Sequence, residues 1–271
     1  MNWLLEPLTY EFMQRGLLAS VIVGVLCAVM GTYVVLRGMA FLGDAMAHAI
    51  LPGVAIAYIL KGDLLIGAGA AAVAIALTIG FFTKDGTVKE DTAIGILFAA
   101  ALSLGVALIS TMQTYAVDLS HILFGNVLGV SAGDLWLIGG LSLAILLTVA
   151  LLYKPFLVIS FDPVLAATLR LPAELLRNLM LVLLALTVVV SLQTVGVSLA
   201  AAMLVTPAAT AYLLTRRLAP MMIVSALIGA LSSVIGLYLS YYFNIVSGSA
   251  IVLTATLFFL LGFIWKRLRK A

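Results

Sequence analysis

The sequence predicts an all-α membrane protein, a polytopic bundle of about nine transmembrane helices forming one domain over residues 1–271. Two observations predict it. First, 65% of the residues are hydrophobic and only 9% are charged, whereas a soluble domain carries about 25% charged residues. The mean hydropathy of +1.28 agrees. Second, the apolar residues fall into runs of transmembrane length, about 20 residues. They lie at 17–36, 42–60, 64–82, 93–112, 135–153, 178–195, 198–215, 221–242 and 250–265. Eight to ten spans fit the chain, and no room is left for a soluble catalytic domain.

The elements follow in order. The start, Met1-Asn2-Trp3-Leu4-Leu5-Glu6-Pro7, lacks the basic region of a signal peptide. Residues 1–15, with Trp3, Glu6, Tyr10, Glu11 and Phe12, are predicted to lie as an interfacial amphipathic segment on the outer face. Basic residues cluster at Arg37, Lys84/Lys89, Lys154 to Arg177, Arg216/Arg217 and Lys266-Arg267-Leu268-Arg269-Lys270. The positive-inside rule places these turns in the cytosol. With nine spans the N-terminus is then outside and the C-terminus inside. The net charge of +3, spread in this way, does not describe a nucleic-acid surface. The sixth and seventh runs are separated only by Gln193-Thr194-Val195-Gly196, and a re-entrant segment there would change the count.

Three stripes of small residues recur at four-residue spacing: Gly16/Ser20/Gly24/Ala28, Ala68/Ala72/Ala76/Gly80 and Ser225/Gly229/Ser233. Such stripes let helix backbones approach closely in lipid, and internal packing is expected of them before a dimer face. The single cysteine, Cys27, has no intrachain disulfide partner and is expected to be a packing residue.

The most informative stretch is Gly43-Asp44-Ala45-Met46-Ala47-His48-Ala49-Ile50-Leu51-Pro52-Gly53. Asp44 and His48 are four residues apart and share one helix face. A charged group in a membrane helix costs roughly 2.5–3.5 kcal/mol on insertion scales, so such residues are usually functional. Carboxylate oxygen and imidazole nitrogen both suit a divalent transition metal. Two ligands are too few for a tight site, but a two-fold dimer would supply two Asp and two His. The bland alternative is an intrahelical Asp–His pair packed against its neighbours. Pro52 lacks an N–H and is expected to leave the His48 carbonyl free, and irregular backbone at membrane depth is tolerated where it lines a cavity. Pro207 would free the Met203 carbonyl in a second helix, although a simple kink is the commoner role.

The segment from Lys154 to Arg177 is the one long cytoplasmic connection. Asp162 followed by Pro163 is a helix start, and that helix should end before Pro172. It would dock a partner or lie on the membrane surface. Asp118 and His121, in Asp-Leu-Ser-His, fall on an outer loop, where a solvated turn is the plain reading and a way in for a cation the alternative. The chain has no phosphate-binding loop ending in Gly-Lys-Ser/Thr, no His-Glu-x-x-His and no Gly-x-Ser-x-Gly, so no P-loop ATPase, zinc protease or serine hydrolase is signalled.

The run Arg37-Gly-Met-Ala-Phe-Leu-Gly-Asp-Ala-Met-Ala-His-Ala-Ile-Leu-Pro-Gly resembles the hallmark of the membrane permeases of bacterial zinc/manganese/iron ABC importers, the ABC-3 family. Lys89-Glu-Asp-Thr-Ala-Ile-Gly, Leu123-Phe-Gly-Asn-Val-Leu-Gly-Val-Ser, Ser160-Phe-Asp-Pro, Ser191-Leu-Gln-Thr-Val-Gly and Val205-Thr-Pro-Ala-Ala-Thr-Ala add support. Gly38 departs from a frequent second arginine, and Ala47 from a frequent serine. The resemblance implies a homodimer in the bacterial inner membrane. It implies two copies of a cytosolic ATP-binding subunit and an extracytoplasmic metal-binding protein as partners. It implies that Asp44 and His48 hold the passing ion, and that no cofactor is bound permanently. Docking to the ATPase would fall to the stretch from Ser160 through Phe161, Asp162, Pro163, Leu169 and Arg170 to Glu174.

The cargo is then Mn²⁺ or Zn²⁺, with Fe²⁺ a third candidate. An O/N ligand set without thiolate argues against Cu(I). A proton-coupled secondary transporter using Asp44 and His48 as a relay is the rival reading. It predicts internal repeats, and none is evident. An intramembrane enzyme would need a further base or nucleophile.

Overall fold

All nine predicted apolar runs coincide with helices in the computed structural model, which describes residues 6–111, 127–161 and 163–269. The helices are α1 (Glu11–Leu36), α2 (Leu42–Ala49), α3 (Leu51–Ile59), α4 (Leu64–Thr83), α5 (Glu90–Ser110), α6 (Ala132–Leu151), α7 (Tyr153–Phe161), α8 (Pro163–Thr168), α9 (Ala173–Val195), α10 (Val197–Leu214), α11 (Leu218–Phe243) and α12 (Ser247–Leu268). Short 3-10 turns occupy Pro7–Thr9 and Val127–Gly129. Local chemistry sets several starts. The Asp63 carboxylate accepts from the Leu65 and Ile66 N–H groups at 2.7 and 3.2 Å. Ser131 and Asp134 form a reciprocal capping box ahead of α6.

Helix α1 begins at Glu11, earlier than the run at 17 suggests, because a Glu11–Arg15 pair one turn apart supports its first turn. Tyr10, just before it, packs its ring on Phe12 and Tyr241, with centroids 5.5 and 6.3 Å away. This is an aromatic cluster of the kind found at a membrane–water boundary.

Eight helical segments are long and apolar enough to cross a bilayer, with Leu42–Ile59 as one of them, and Leu199–Leu214 is a shorter apolar helix. That shorter helix runs parallel to α1. Leu199 and Ser20 line the same small cavity, and further along Gly31 meets Leu204 and Ala208. Helix α9 runs the other way: Cys27 lies 3.0 Å from Ser191, and Arg37 reaches Met180. The turn at Gly196 (φ 78°) therefore reverses the chain, and α9 and α10 are two separate passes. Among the described residues nine passes result, with α1 entering and α12 leaving at opposite faces. Among the described residues only Arg15 and Lys61 carry positive charge at the face where α1 begins. The other face is the cytoplasmic one by the charge rule.

The small-residue stripes pack the bundle internally. Ser225 donates to the Ala28 carbonyl at 2.7 Å and Ser233 to the Ser20 carbonyl at 2.9 Å. Between them Gly24 and Gly229 let the backbones of α1 and α11 touch. A Cβ on Gly31 would stand 1.7 Å from the Leu204 carbonyl oxygen, so α10 seats directly on the α1 backbone. Ala68, Ala72 and Ala76 are likewise buried along α4. Cys27 is fully buried, as a packing residue should be.

Candidate functional site

Asp44 and His48 stand on α2, a helix of only eight residues. Its start is built by the end of α1. Gly38 takes φ +69°, and the Met39 N–H bonds back to the Val34 carbonyl at 2.9 Å, a Schellman closure that turns the chain sharply. Leu42, Gly43, Ala45, Met46, Ala47 and Ala49 are all buried, against α5, α9 and α10. Asp44 and His48 point to the remaining side, with side chains 48% and 30% exposed.

His48 Nε2 lies 3.8 Å from Asp44 Oδ1. That is too long for a hydrogen bond, though it is a close contact one turn apart, with neither side chain fully buried. Two ligands each ~2.1 Å from a tetrahedral ion stand roughly 3.4 Å apart, close to the observed gap. Among the described residues no group of three or more His, Cys, Asp or Glu is gathered. One chain therefore offers two ligands here.

The depth of the pair is set by α5. The His48 ring packs on Phe98 with centroids 6.0 Å apart, and Phe41 meets the same ring at 5.5 Å. Phe98 is the ninth of the 21 residues of α5, about 12 Å along the helix from Glu90. The hydrocarbon core is about 30 Å thick, so the pair lies near mid-depth. In the Arg37–Gly43 turn that leads into α2, Met39 and Leu42 are 1% exposed, while Gly38, Ala40 and Phe41 lie at the surface.

The helix breaks at Ile50, and Pro52 occupies the first turn of α3, where no N–H is needed. Pro207 is buried inside α10, the helix whose Ala201 and Leu204 pack against Gly43. Asp118 and His121 lie outside the described residues, as does Asp162.

The cytoplasmic connection is two short helices where one was expected. Helix α7 runs on from α6 after Leu152, and α8 begins at Pro163, as the proline predicts. It ends at Thr168, where Arg170 takes φ +51° and the Leu171 N–H bonds to the Ala166 carbonyl. Ser160 donates back to the Phe156 carbonyl at 2.7 Å. Phe161, Val164, Leu165 and Leu169 are exposed and form an apolar ridge, flanked by exposed Arg170 and Glu174.

Sequence reasoning missed a charge cluster between this ridge and α2. Arg37 pairs with Glu90, with side chains 13% and 19% exposed. Arg177 donates to the Thr83 and Gly80 carbonyls at 2.9 Å each, capping the end of α4. Burial pulls the Arg37 guanidinium below its ordinary pKa, Glu90 opposes this, and the nearby Arg177 charge adds to it. The only signal in the sequence was an arginine and a glutamate at helix ends, 53 residues apart.

The family model described as the ABC 3 transport family matches residues 9–266. The manganese transport system membrane protein MntC of Halalkalibacterium halodurans is 48% identical over 258 residues, covering 95% of this chain and 88% of that protein. A probable iron transport system membrane protein of Haemophilus influenzae is 40% identical, covering 99% and 98%. Among solved structures, PsaBC from Streptococcus pneumoniae in complex with Fab contains a chain 42% identical, with a TM-score of 0.84 over 96% of this chain and 94% of that one. Likeness of this extent in sequence and fold leaves one assignment: the chain belongs to the ABC 3 transport family of membrane permeases.

Proposed function

We propose that this chain is the permease through which an ATP-driven importer brings a divalent first-row metal ion across the bacterial inner membrane. Manganese is the leading cargo, because the relatives named for manganese transport are among the most similar, and iron follows from others. The ion passes between two copies of the chain, each contributing Asp44 and His48. The observation that carries this reading is the open Asp44–His48 face at mid-depth. An ionisable pair inside a membrane normally faces a bundle interior or a water-filled cavity. A single copy turns it outward, so a second copy opposite would complete both its burial and its ligand set.

The sequence carries no nucleotide-binding loop, so ATP hydrolysis belongs to a separate cytosolic subunit, two copies of which meet the ridge of α7 and α8. A metal-binding protein delivers the ion on the outer side. Four ligands replace part of the hydration shell, and the absence of thiolate keeps binding releasable. ATP-driven displacement of the coupling helices then opens the inner side. Similarity to ABC permeases weighs against the proton-coupled alternative.

The test is uptake of Mn, Zn and Fe by cells expressing the whole importer with Asp44→Ala or His48→Ala. Uptake should fall at least tenfold in each variant while the complex still assembles. Normal uptake by both variants in an assembled complex overturns the site.

A further inference from the structure

The largely enclosed charges beside the coupling segment have no part in the proposed ion site, yet they lie where the start of α9 meets the turn into α2. Arg37 is the residue that follows α1, and Glu90 opens α5. Their ion pair ties the start of the turn into α2 to the helix that α2 packs against. Arg177 is on the second turn of α9, a few residues from α8. Its two terminal nitrogens hold the last carbonyls of α4. A cavity of about 260 Å³ lies among these groups. Ile159, Ala166, Glu174 and Arg177 wall it on the coupling side, and Arg37, Lys84 and Glu90 on the bundle side.

Three cations and two carboxylates thus share one partly enclosed space. In the present arrangement Arg37 takes Glu90, while Glu174 stands exposed across the cavity. We propose that Arg37 and Glu90 form a latch on the Asp44–His48 helix, and that Glu174 is the competing carboxylate that releases it. Displacement of α8 carries the first turns of α9 with it. Glu174 then draws Arg37 across the cavity, Glu90 falls to Lys84, and the turn at Gly38 is freed to move α2. Two discrete pairings of the same charges make the element bistable rather than elastic. Arg37, Glu90 and Glu174 are positioning residues in this scheme, since they act on the ion only through α2.

The inference rests on the proposed transport reading, and its test is separable from that reading. Arg37→Cys/Glu90→Cys is joined by a short bis-methanethiosulfonate linker in membranes carrying the full importer, and uptake is compared before and after reductant. Cys27 is buried and does not compete. Linked protein should take up metal at least tenfold more slowly than the same protein after reductant, with the complex still assembled. Equal rates make the pair a static strut and overturn the latch. Glu174→Gln leaves the Arg37–Glu90 pair intact. Uptake per assembled complex should fall at least tenfold, while Glu174→Asp restores part of it. Normal uptake by Glu174→Gln overturns the exchange. Loss of the Asp44–His48 assignment would show as normal uptake by Asp44→Ala and His48→Ala, whatever the linker does.

Discussion

Single residues divide here by what surrounds them rather than by type. Asp44 and His48 are polar and half open, and Arg37, Glu90 and Arg177 are polar and largely enclosed; the first set is free to meet a ligand, and the second is committed within the chain. Removing one partner of a buried pair leaves an uncompensated charge, which costs about 3–5 kcal/mol, so Arg37→Ala is expected to destabilise far more than Asp44→Ala. Gly38 presents the opposite case. Nothing lies within 4 Å of where its Cβ would be, but its φ is +69°. An L-residue there carries only the left-handed penalty, roughly 1–2 kcal/mol. Arg170 and Lys61 already bear that conformation at φ 51° and 53°. Gly38→Ala should therefore lower the thermal midpoint of the purified permease slightly, and Gly38→Asn less, since Asn tolerates this region. Loss of fold in Gly38→Asn would contradict the strain argument.

Helices in this bundle meet by backbone contact, so their weak points are the glycines that another helix sits on. A Cβ at Gly31 would collide with the Leu204 carbonyl oxygen at 1.7 Å, whereas Gly69 faces open space. Gly31→Ala should cost ~1–3 kcal/mol or more through overpacking and push α10 away from α1. Gly69→Ala should be neutral or gain up to ~1 kcal/mol in helix propensity. Thermal aggregation of the two variants in detergent checks the contrast, and equal midpoints would refute the close seating of α10. The nine passes were legible in the sequence because lipid demands long apolar runs, and that demand is local. The Asp44–His48 pair was legible for the same reason, as two polar groups in an apolar helix at one-turn spacing. The break at Ile50 was half legible: Pro52 announced an irregularity, but whether it kinks a helix or starts a new one depends on packing around Ile50. The split into α7 and α8 and the Arg37–Glu90 pair were not legible. Both depend on which distant segments the fold brings together, and neither leaves a periodic trace.

For the whole molecule, two surfaces remain unexplained by a monomer in lipid. One is the mid-depth face of α2, which the proposed second copy would cover. The other is the ridge of Phe161, Val164, Leu165 and Leu169 at the cytoplasmic end, outside the apolar spans and beside charged Arg170 and Glu174. Val164 is 74% exposed, so replacing it leaves the core of the permease untouched. Fully burying a valine-sized side chain at an interface contributes about 1.5–3 kcal/mol, and each 1.4 kcal/mol is a factor of about ten in affinity. Val164→Asp is therefore expected to leave the permease folded and membrane-inserted while reducing recovery of the ATP-hydrolysing subunit in a pull-down at least tenfold, with metal uptake falling in parallel. A membrane-lying α8 makes a different forecast: the same substitution would leave subunit recovery unchanged and loosen only lipid contact. Recovery of the ATPase at the unsubstituted level from Val164→Asp membranes would remove the ridge from the coupling interface and leave α8 as a surface helix.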